Sequence, residues 1–362
     1  MSEYTRRFFL YRAAASLGAL TSAWLLGGCA GDPSPTAPAA SATSAVTAIP
    51  TATDEAALVP SAVPTQVPTE EAGSTEPSAA PTPTSTAAPP RRHPDLAVAR
   101  GGEPEAMVRR TLAALGGMER FVSPGDDVIV KPNICVAYHT YEYAATTNPW
   151  VVGELVRLAL EAGAKRVRVM DNPFGGSAEQ AYVKSGIQEQ VVRAGGQMET
   201  MARFKYVDVN LPEAQDLRRC KIYDAVLKAD VLIDVPIAKD HGLARLTLGM
   251  KNLMGVIFDR PAMHRNLGQR LADLSSRVRP TLTVVDAVRM LMRHGPTGGN
   301  LDDVKQMDTV IASPDIVAAD SYAATLFDMQ PDELAYVRAG AAMGLGRSDL
   351  QALKIEEVNV GG

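Results

Sequence analysis

Three lysines occupy places where a cation could meet a small anion: Lys131, Lys239 and Lys251. Lys131 ends the apolar run Val128-Ile129-Val130 and leads into Pro132 and Asn133. Lys239 follows Val231-Leu232-Ile233-Asp234-Val235-Pro236 and precedes Asp240 and His241. Lys251 and Asn252 lie between Gly249 and Gly255. Ammonium groups gathered in one crevice, with the planar fork of Arg260 or Arg265 beside them, would hold a carboxylate or a phosphate. The alternative is that these lysines pair with the protein's own Asp171 or Asp286.

His241 and His264 flank the same segments, and imidazole is the side chain suited to moving a proton near neutral pH. With Asp171, Asp240 or Asp286 they could instead complete a mixed nitrogen–oxygen metal site, or serve structure alone. No His-Glu-x-x-His spacing is present, and no Gly-x-Ser-x-Gly elbow. Cys135 has His139 four positions on, a weak basis for a nucleophile–base pair. Gly295-Pro296-Thr297-Gly298-Gly299-Asn300 is a flexible turn that could aim backbone amides at an anion, without the spacing of a Walker or Rossmann loop.

The elements that must position these residues are strands. Val128 to Lys131, Val167 to Met170, Val231 to Val235, Leu282 to Val285 and Thr309 to Ile311 read as buried strands. Helical patterns lie between most of them: one opens at Pro149 and stops at Gly163, another runs from Ser313-Pro314 to about Phe327. Such alternation predicts an α/β fold with a mostly parallel central sheet and helices on both faces. Four of these strands run directly into polar residues, at Lys131-Pro132-Asn133, Asp171-Asn172-Pro173, Lys239-Asp240-His241 and Asp286. In a parallel sheet the carboxyl ends of the strands share one rim, so these residues should converge on one crevice.

The pieces Val130-Lys131-Pro132-Asn133, Thr146-Thr147-Asn148-Pro149, Val169-Met170-Asp171-Asn172-Pro173, Pro236 to Gly242, Thr247 to Gly255, Arg260 to His264, Val284-Val285-Asp286-Ala287, Gly295 to Gly299 and Ala318-Ala319-Asp320 together resemble the domain of unknown function family numbered 362. The resemblance covers nearly all of residues 95–360. It implies a site more securely than a reaction. Many members of that family carry a ferredoxin-like run of cysteines, and this chain has none. An intrinsic iron–sulfur cluster is therefore not expected, and the cofactor, if any, is left open.

Composition narrows the partners. The 362 residues carry a net charge of -5, and aromatic residues make up 5%, which argues against nucleic acid as a partner. Of the three cysteines, Cys135 and Cys220 fall in the folded region, where they either form one disulfide or remain separate thiols. The third, Cys29, belongs to an export signal. Thr5-Arg6-Arg7-Phe8-Phe9-Leu10 resembles the twin-arginine motif, and Ala13 to Leu26 is apolar but short for a membrane span. Leu26-Gly27-Gly28-Cys29 resembles a lipobox. Acyl chains on Cys29, at about 0.8 kcal/mol per buried methylene, would hold the protein on the outer face of the cytoplasmic membrane.

The expected organisation is thus a signal peptide over 1–29, a linker over 30–92 and one α/β domain over 93–362. The linker is dominated by Pro, Ala, Ser and Thr, with neither Lys nor Arg between Asp32 and Pro90, and is expected to be a disordered tether reaching about 40–50 Å. Two functions fit: an enzyme-like domain acting on a small anionic substrate or cofactor, or a tethered binding lipoprotein without catalysis. Membrane contact is expected through the lipid alone, and protein partners are not indicated.

Overall fold

A computed structural model describes residues 93–361. The twin-arginine motif, the lipobox with Cys29 and the linker up to residue 92 lie outside the described residues. In chain order the elements are β1 (Leu96–Arg100), α1 (Pro104–Ala114), β2 (Asp127–Pro132), α2 (Pro149–Glu161), β3 (Arg166–Val169), α3 (Ala178–Lys184), α4 (Ile187–Arg193) and β4 (Gln197–Met198). Next come β5 (Tyr206–Asn210), β6 (Arg219–Tyr223), α5 (Asp224–Lys228), β7 (Val231–Val235), β8 (Ile237–His241), β9 (Arg245–Thr247) and α6 (Gly249–Asn252). The chain continues through α7 (Leu267–Arg277), β10 (Leu282–Leu291), β11 (Val304–Ser313), α8 (Ile316–Thr325), α9 (Ala335–Ala342) and β12 (Ile355–Asn359).

The central sheet runs β12-β1-β11-β10-β7-β2-β3-β4, with β8 paired to β10 and to β9. The stretch β10-β7-β2-β3-β4 is parallel throughout, and β11 runs antiparallel to both of its neighbours. The expected mostly parallel α/β sheet is what the chain forms. Strands β5 and β6 make a separate antiparallel pair.

Side chains of successive residues alternate between the faces, and both faces are covered, which is why the central strands read as continuous apolar runs. Val128 and Val130 of β2, and Val231, Ile233 and Val235 of β7, pack on one side with Val108 and Leu112 of α1 and Val152, Leu155 and Val156 of α2. Ile129 and Leu232 pack on the other side with Leu271 and Leu274 of α7 and with Val317 and Ala323 of α8. Helix α2 begins as the sequence predicts: Pro149 is its first residue, and the Asn148 side chain accepts the Trp150 N–H at 3.0 Å. Helix α8 begins later than expected, because Ser313 is the last residue of β11 and Asp315 is the cap that accepts from Ala318 N.

The crossovers from β2 to β3 and from β7 to β10 lie on opposite faces, so the strand order reverses between β2 and β7. A parallel sheet opens a crevice at such a reversal. Lys131 and Asp234 face each other in register there.

Candidate functional site

A cavity of about 520 Å³ opens at this rim. Lys131, Asn133, Asp171, Lys239, His241, Lys251, Asn252 and His264 all line it, together with Arg260, Thr247 and Cys135. Ile134, Phe174, Leu243 and Met254 supply an apolar wall. Asp286 does not line the cavity. The sequence places it at a strand end, but β10 continues to Leu291. Asp286 therefore sits within the strand, fully buried, its carboxylate accepting the N–H of Asn148 at 2.7 Å and of Val288 at 3.0 Å.

The three lysines have different surroundings. Lys131 is fully buried at the end of β2, with Asp171 Oδ1 at 2.8 Å, Asn252 Oδ1 at 2.8 Å and the Pro132 carbonyl at 2.9 Å around its ammonium. Its charge is answered by Asp171, so of the predicted lysine–aspartate pairs this one forms. Asp171 Oδ2 accepts the Ile134 N–H at 2.6 Å, tying the loop after β2 to the loop after β3. A Cβ on Gly255 would collide with Asp171 Oδ1 and come within 2.7 Å of Lys131 Nζ, so only glycine lets the backbone pass here.

Lys239 lies on β8, opposite Thr247 of β9. Its Nζ donates to the Ala145 carbonyl at 2.6 Å, the Pro296 carbonyl at 2.9 Å and Asn133 Oδ1 at 3.1 Å. Burial lowers its pKa, yet three acceptors require three N–H groups, and only the ammonium has them. The turn at Gly295 and Pro296 thus gives Lys239 a carbonyl, and Gly295 N–H is bound by Asp240 Oδ2 at 2.8 Å.

Lys251 has no hydrogen-bond or ion-pair partner among the described residues. Burial, then the charge of Lys239, lowers its pKa to about 8; Cys135 opposes this, and Lys131 and Arg260 add smaller lowering effects. The residues around it are held firmly. Asp320 of α8, fully buried, accepts the N–H of Gly249 at 2.6 Å and of Met250 at 3.0 Å, which anchors the start of α6. Asn252 at its end donates to Asp234 Oδ1 at 2.8 Å and to the Lys131 carbonyl at 3.2 Å, and accepts from Lys131 and Asn133. Every polar atom of Asn252 is thereby used, so it organises the cavity floor and has no group left for a ligand.

His241 ends β8. Its Nδ1 accepts the N–H of Leu243 at 3.1 Å and of Ala244 at 3.2 Å. An Nδ1 that accepts two amides cannot carry a proton, so the neutral ring has its hydrogen on Nε2, which has no partner among the described residues. Burial, then Lys251, Lys239 and His264, lowers the His241 pKa to about 3. His241 is therefore a fixed neutral donor at neutral pH. His264 is exposed and belongs to a 3-10 turn at the mouth. Arg260 also lines the mouth and donates Nη1 to the Asn172 carbonyl at 2.8 Å, whereas Arg265 does not line the cavity.

Among the described residues no cluster of three or more His, Cys, Asp or Glu side chains is arranged to hold a metal ion. Cys135 and Cys220 are free thiols. His139 stacks on Tyr143 with ring centroids 4.6 Å apart, while Cys135 Sγ contacts the Pro296 carbonyl at 3.5 Å, so the two do not act as a pair.

Sequence reasoning missed Asp234 and Thr247. Asp234 is buried beside Lys131 across the strand reversal, its pKa raised well above the usual carboxylate range by burial; it was hidden inside an apolar run. Thr247 Oγ1 is buried without a hydrogen-bond partner among the described residues, and Thr247 lines the cavity; its position just before Gly249-Met250-Lys251-Asn252 was the available signal.

No carboxylate lies within ion-pair distance of Lys239, Lys251 or Arg260 among the described residues. The family described as "Domain of unknown function (DUF362)" matches residues 128–325. A thylakoid-associated protein of Synechocystis sp. is 26% identical over 249 residues, covering 66% of this chain and 75% of that protein. Two solved structures are similar at low identity. The lactate racemase apoprotein from Thermoanaerobacterium thermosaccharolyticum is 11% identical with a TM-score of 0.38, the match covering 68% of this chain and 56% of that one. A protein from Thermotoga maritima is 13% identical with a TM-score of 0.39, at 63% and 60%. The chain thus spans less than two thirds of either solved chain.

Proposed function

The chain belongs to the DUF362 family, and from that premise we propose that its domain binds a small anionic substrate or cofactor at the strand ends and acts on it as an enzyme. One observation carries the reading: Lys239, Lys251 and Arg260 line a single cavity with no carboxylate paired to them among the described residues. Cations gathered in one cavity without a paired carboxylate repel one another, and an anion relieves that repulsion. The Nε2–H of His241 and the unpartnered hydroxyl of Thr247 are the neutral groups available to orient the ligand. His264 at the mouth is the candidate for proton exchange with solvent. Asp171 acts indirectly, by holding Lys131 and the loop at Ile134.

Calorimetric titration of the full-length chain with acetate, pyruvate and inorganic phosphate tests this reading. Saturable binding of at least one anion is expected, weakened by added salt and reduced at least tenfold in Lys251→Met. Absence of binding by all three, or equal affinity in the variant, would sink the assignment. Recovery of the bound anion unaltered after long incubation would favour a binding protein over an enzyme.

The export reading rests on Arg6-Arg7 and on the lipobox ending in Cys29. The domain is then displayed outside the cytoplasmic membrane on a lipid. Among the described residues no helix is long and apolar enough to cross a membrane, so attachment would rest with the N-terminal segment. Cys29→Ala is expected to move the protein from the membrane to the soluble fraction; persistence in the membrane fraction would argue against the lipid anchor.

A further inference from the structure

Of the three cavity lysines, one is left chemically available. Lys131 is surrounded by a carboxylate and two amide-type oxygens, and Lys239 by three carbonyl-type oxygens. Both are held as ammonium groups, and neither has a lone pair to offer. Lys251 has no acceptor and no counter-ion among the described residues, and it faces other cations. That environment lets the ammonium lose its proton more easily than an ordinary lysine does, so the neutral amine, which is a nucleophile, is within reach near neutral pH. Its neighbours on both sides are immobilised, Gly249 and Met250 by Asp320 and Asn252 by Asp234, Lys131 and Asn133. The backbone that presents the amine is thereby preorganised while the amine itself is free to form a bond.

We propose that Lys251 forms an imine with the carbonyl carbon of a small 2-oxo carboxylate, a substrate class that rests on the anion-binding reading of this cavity. The carboxylate is matched by the charge of Lys239 and by the N–H groups of Arg260 not used on the Asn172 and Pro173 carbonyls. The Nε2–H of His241 is the fixed donor suited to the carbonyl oxygen, and the Thr247 hydroxyl is a second group without a protein partner. In the step, the amine nitrogen bonds to the carbonyl carbon and one of its protons passes to the carbonyl oxygen, giving a carbinolamine. The second N–H proton then passes to that oxygen as the carbon–oxygen bond breaks and the carbon–nitrogen double bond forms, and the oxygen departs as water. No oxidant or reductant is consumed. A phosphate has no electrophilic carbon for this chemistry.

The test is reductive trapping. The full-length chain is incubated with pyruvate and sodium borohydride, which reduces an imine to a stable secondary amine, and peptides are mapped by mass spectrometry. The expected result is a pyruvate adduct, less one oxygen, on Lys251 at close to one per chain, with acetate competing. Lys251→Arg and Lys251→Met, checked for an unchanged melting transition, should both lose the adduct, and the arginine variant should still bind acetate. Adducts scattered over surface lysines and unchanged in the two variants would overturn the proposal. Saturable pyruvate binding without an adduct would overturn the imine while leaving the anion pocket standing, whereas neither binding nor adduct would overturn both.

Discussion

At the scale of single residues, the cavity is built from polar atoms that are nearly all committed. Lys131, Asp171, Asn252 and Asn133 form one connected buried network, and Lys239 joins it through Asn133. The sequence marks Lys131, Asn133, Asp171 and Lys239 because each ends or follows an apolar run, and Asn252 through the segment Thr247 to Gly255, but it does not say which are spent on one another. Lys239→Ala is consequently a poor probe of binding, since it would orphan the oxygens of Asn133, Ala145 and Pro296 and leave a void, costing several kcal/mol. Gly255 gives a sharper test of the network. Gly255→Ala forces a methyl group against the Lys131–Asp171 pair. Disrupting a buried pair costs about 3–5 kcal/mol, so a fall in unfolding free energy of up to that order is expected from urea denaturation. An unfolding free energy within about 1 kcal/mol of the parent, the cost of a tolerated core change, would mean that the pair is not tightly packed.

At the scale of elements, the site depends on α6, a helix of a single turn that cannot be stable by itself. Two side chains from elsewhere hold it, Asp320 at its start and Asp234, which accepts from Asn252, at its end. Asp320→Ala removes the acceptors of two buried amides, at about 1–3 kcal/mol each. It should lower stability by about 2–4 kcal/mol and weaken anion binding together with it, because Lys251 loses its fixed backbone. Calorimetry of ligand binding beside a melting curve checks both, and full anion affinity in a destabilised variant would show that α6 keeps its place without Asp320. The apolar runs made β2, β3, β7, β10 and part of β11 legible. Strands β1 and β12 were not, nor were the short β8 and β9, because β8 and β9 carry Lys239, Asp240, His241 and Arg245 and owe their pairing to the sheet rather than to any apolar pattern.

At the scale of the whole molecule, the buried titratable groups set opposing responses to acid. His241 has its pKa lowered to about 3 by burial and by neighbouring cations. The unfolded chain therefore takes up its proton first, and the folded state loses stability as pH falls from about 6.5 toward 3. Asp286, raised to about 6, and Asp320, raised to about 7, both by burial, act in the other sense: their contribution is present in acid and lost as pH rises through those values. Removing the imidazole isolates one sign. In His241→Asn the side-chain oxygen can still accept from Leu243 and Ala244, so stability at pH 7.5 should change little. By pH 5 the variant should gain about 2 kcal/mol relative to the parent, measured by urea denaturation at the two pH values. A difference independent of pH would show that His241 is not held neutral. What the sequence determined by itself was local: alternating apolar runs specified a parallel sheet, and polar residues directly after those runs specified a crevice at its rim, because both follow from patterns within a few residues. Only the tertiary structure decided the chemistry inside that crevice, which carboxylate neutralises Lys131, why Asp286 is enclosed within β10, and why Lys251 has no counter-ion among the described residues, because burial and counter-charge come from segments distant in the chain.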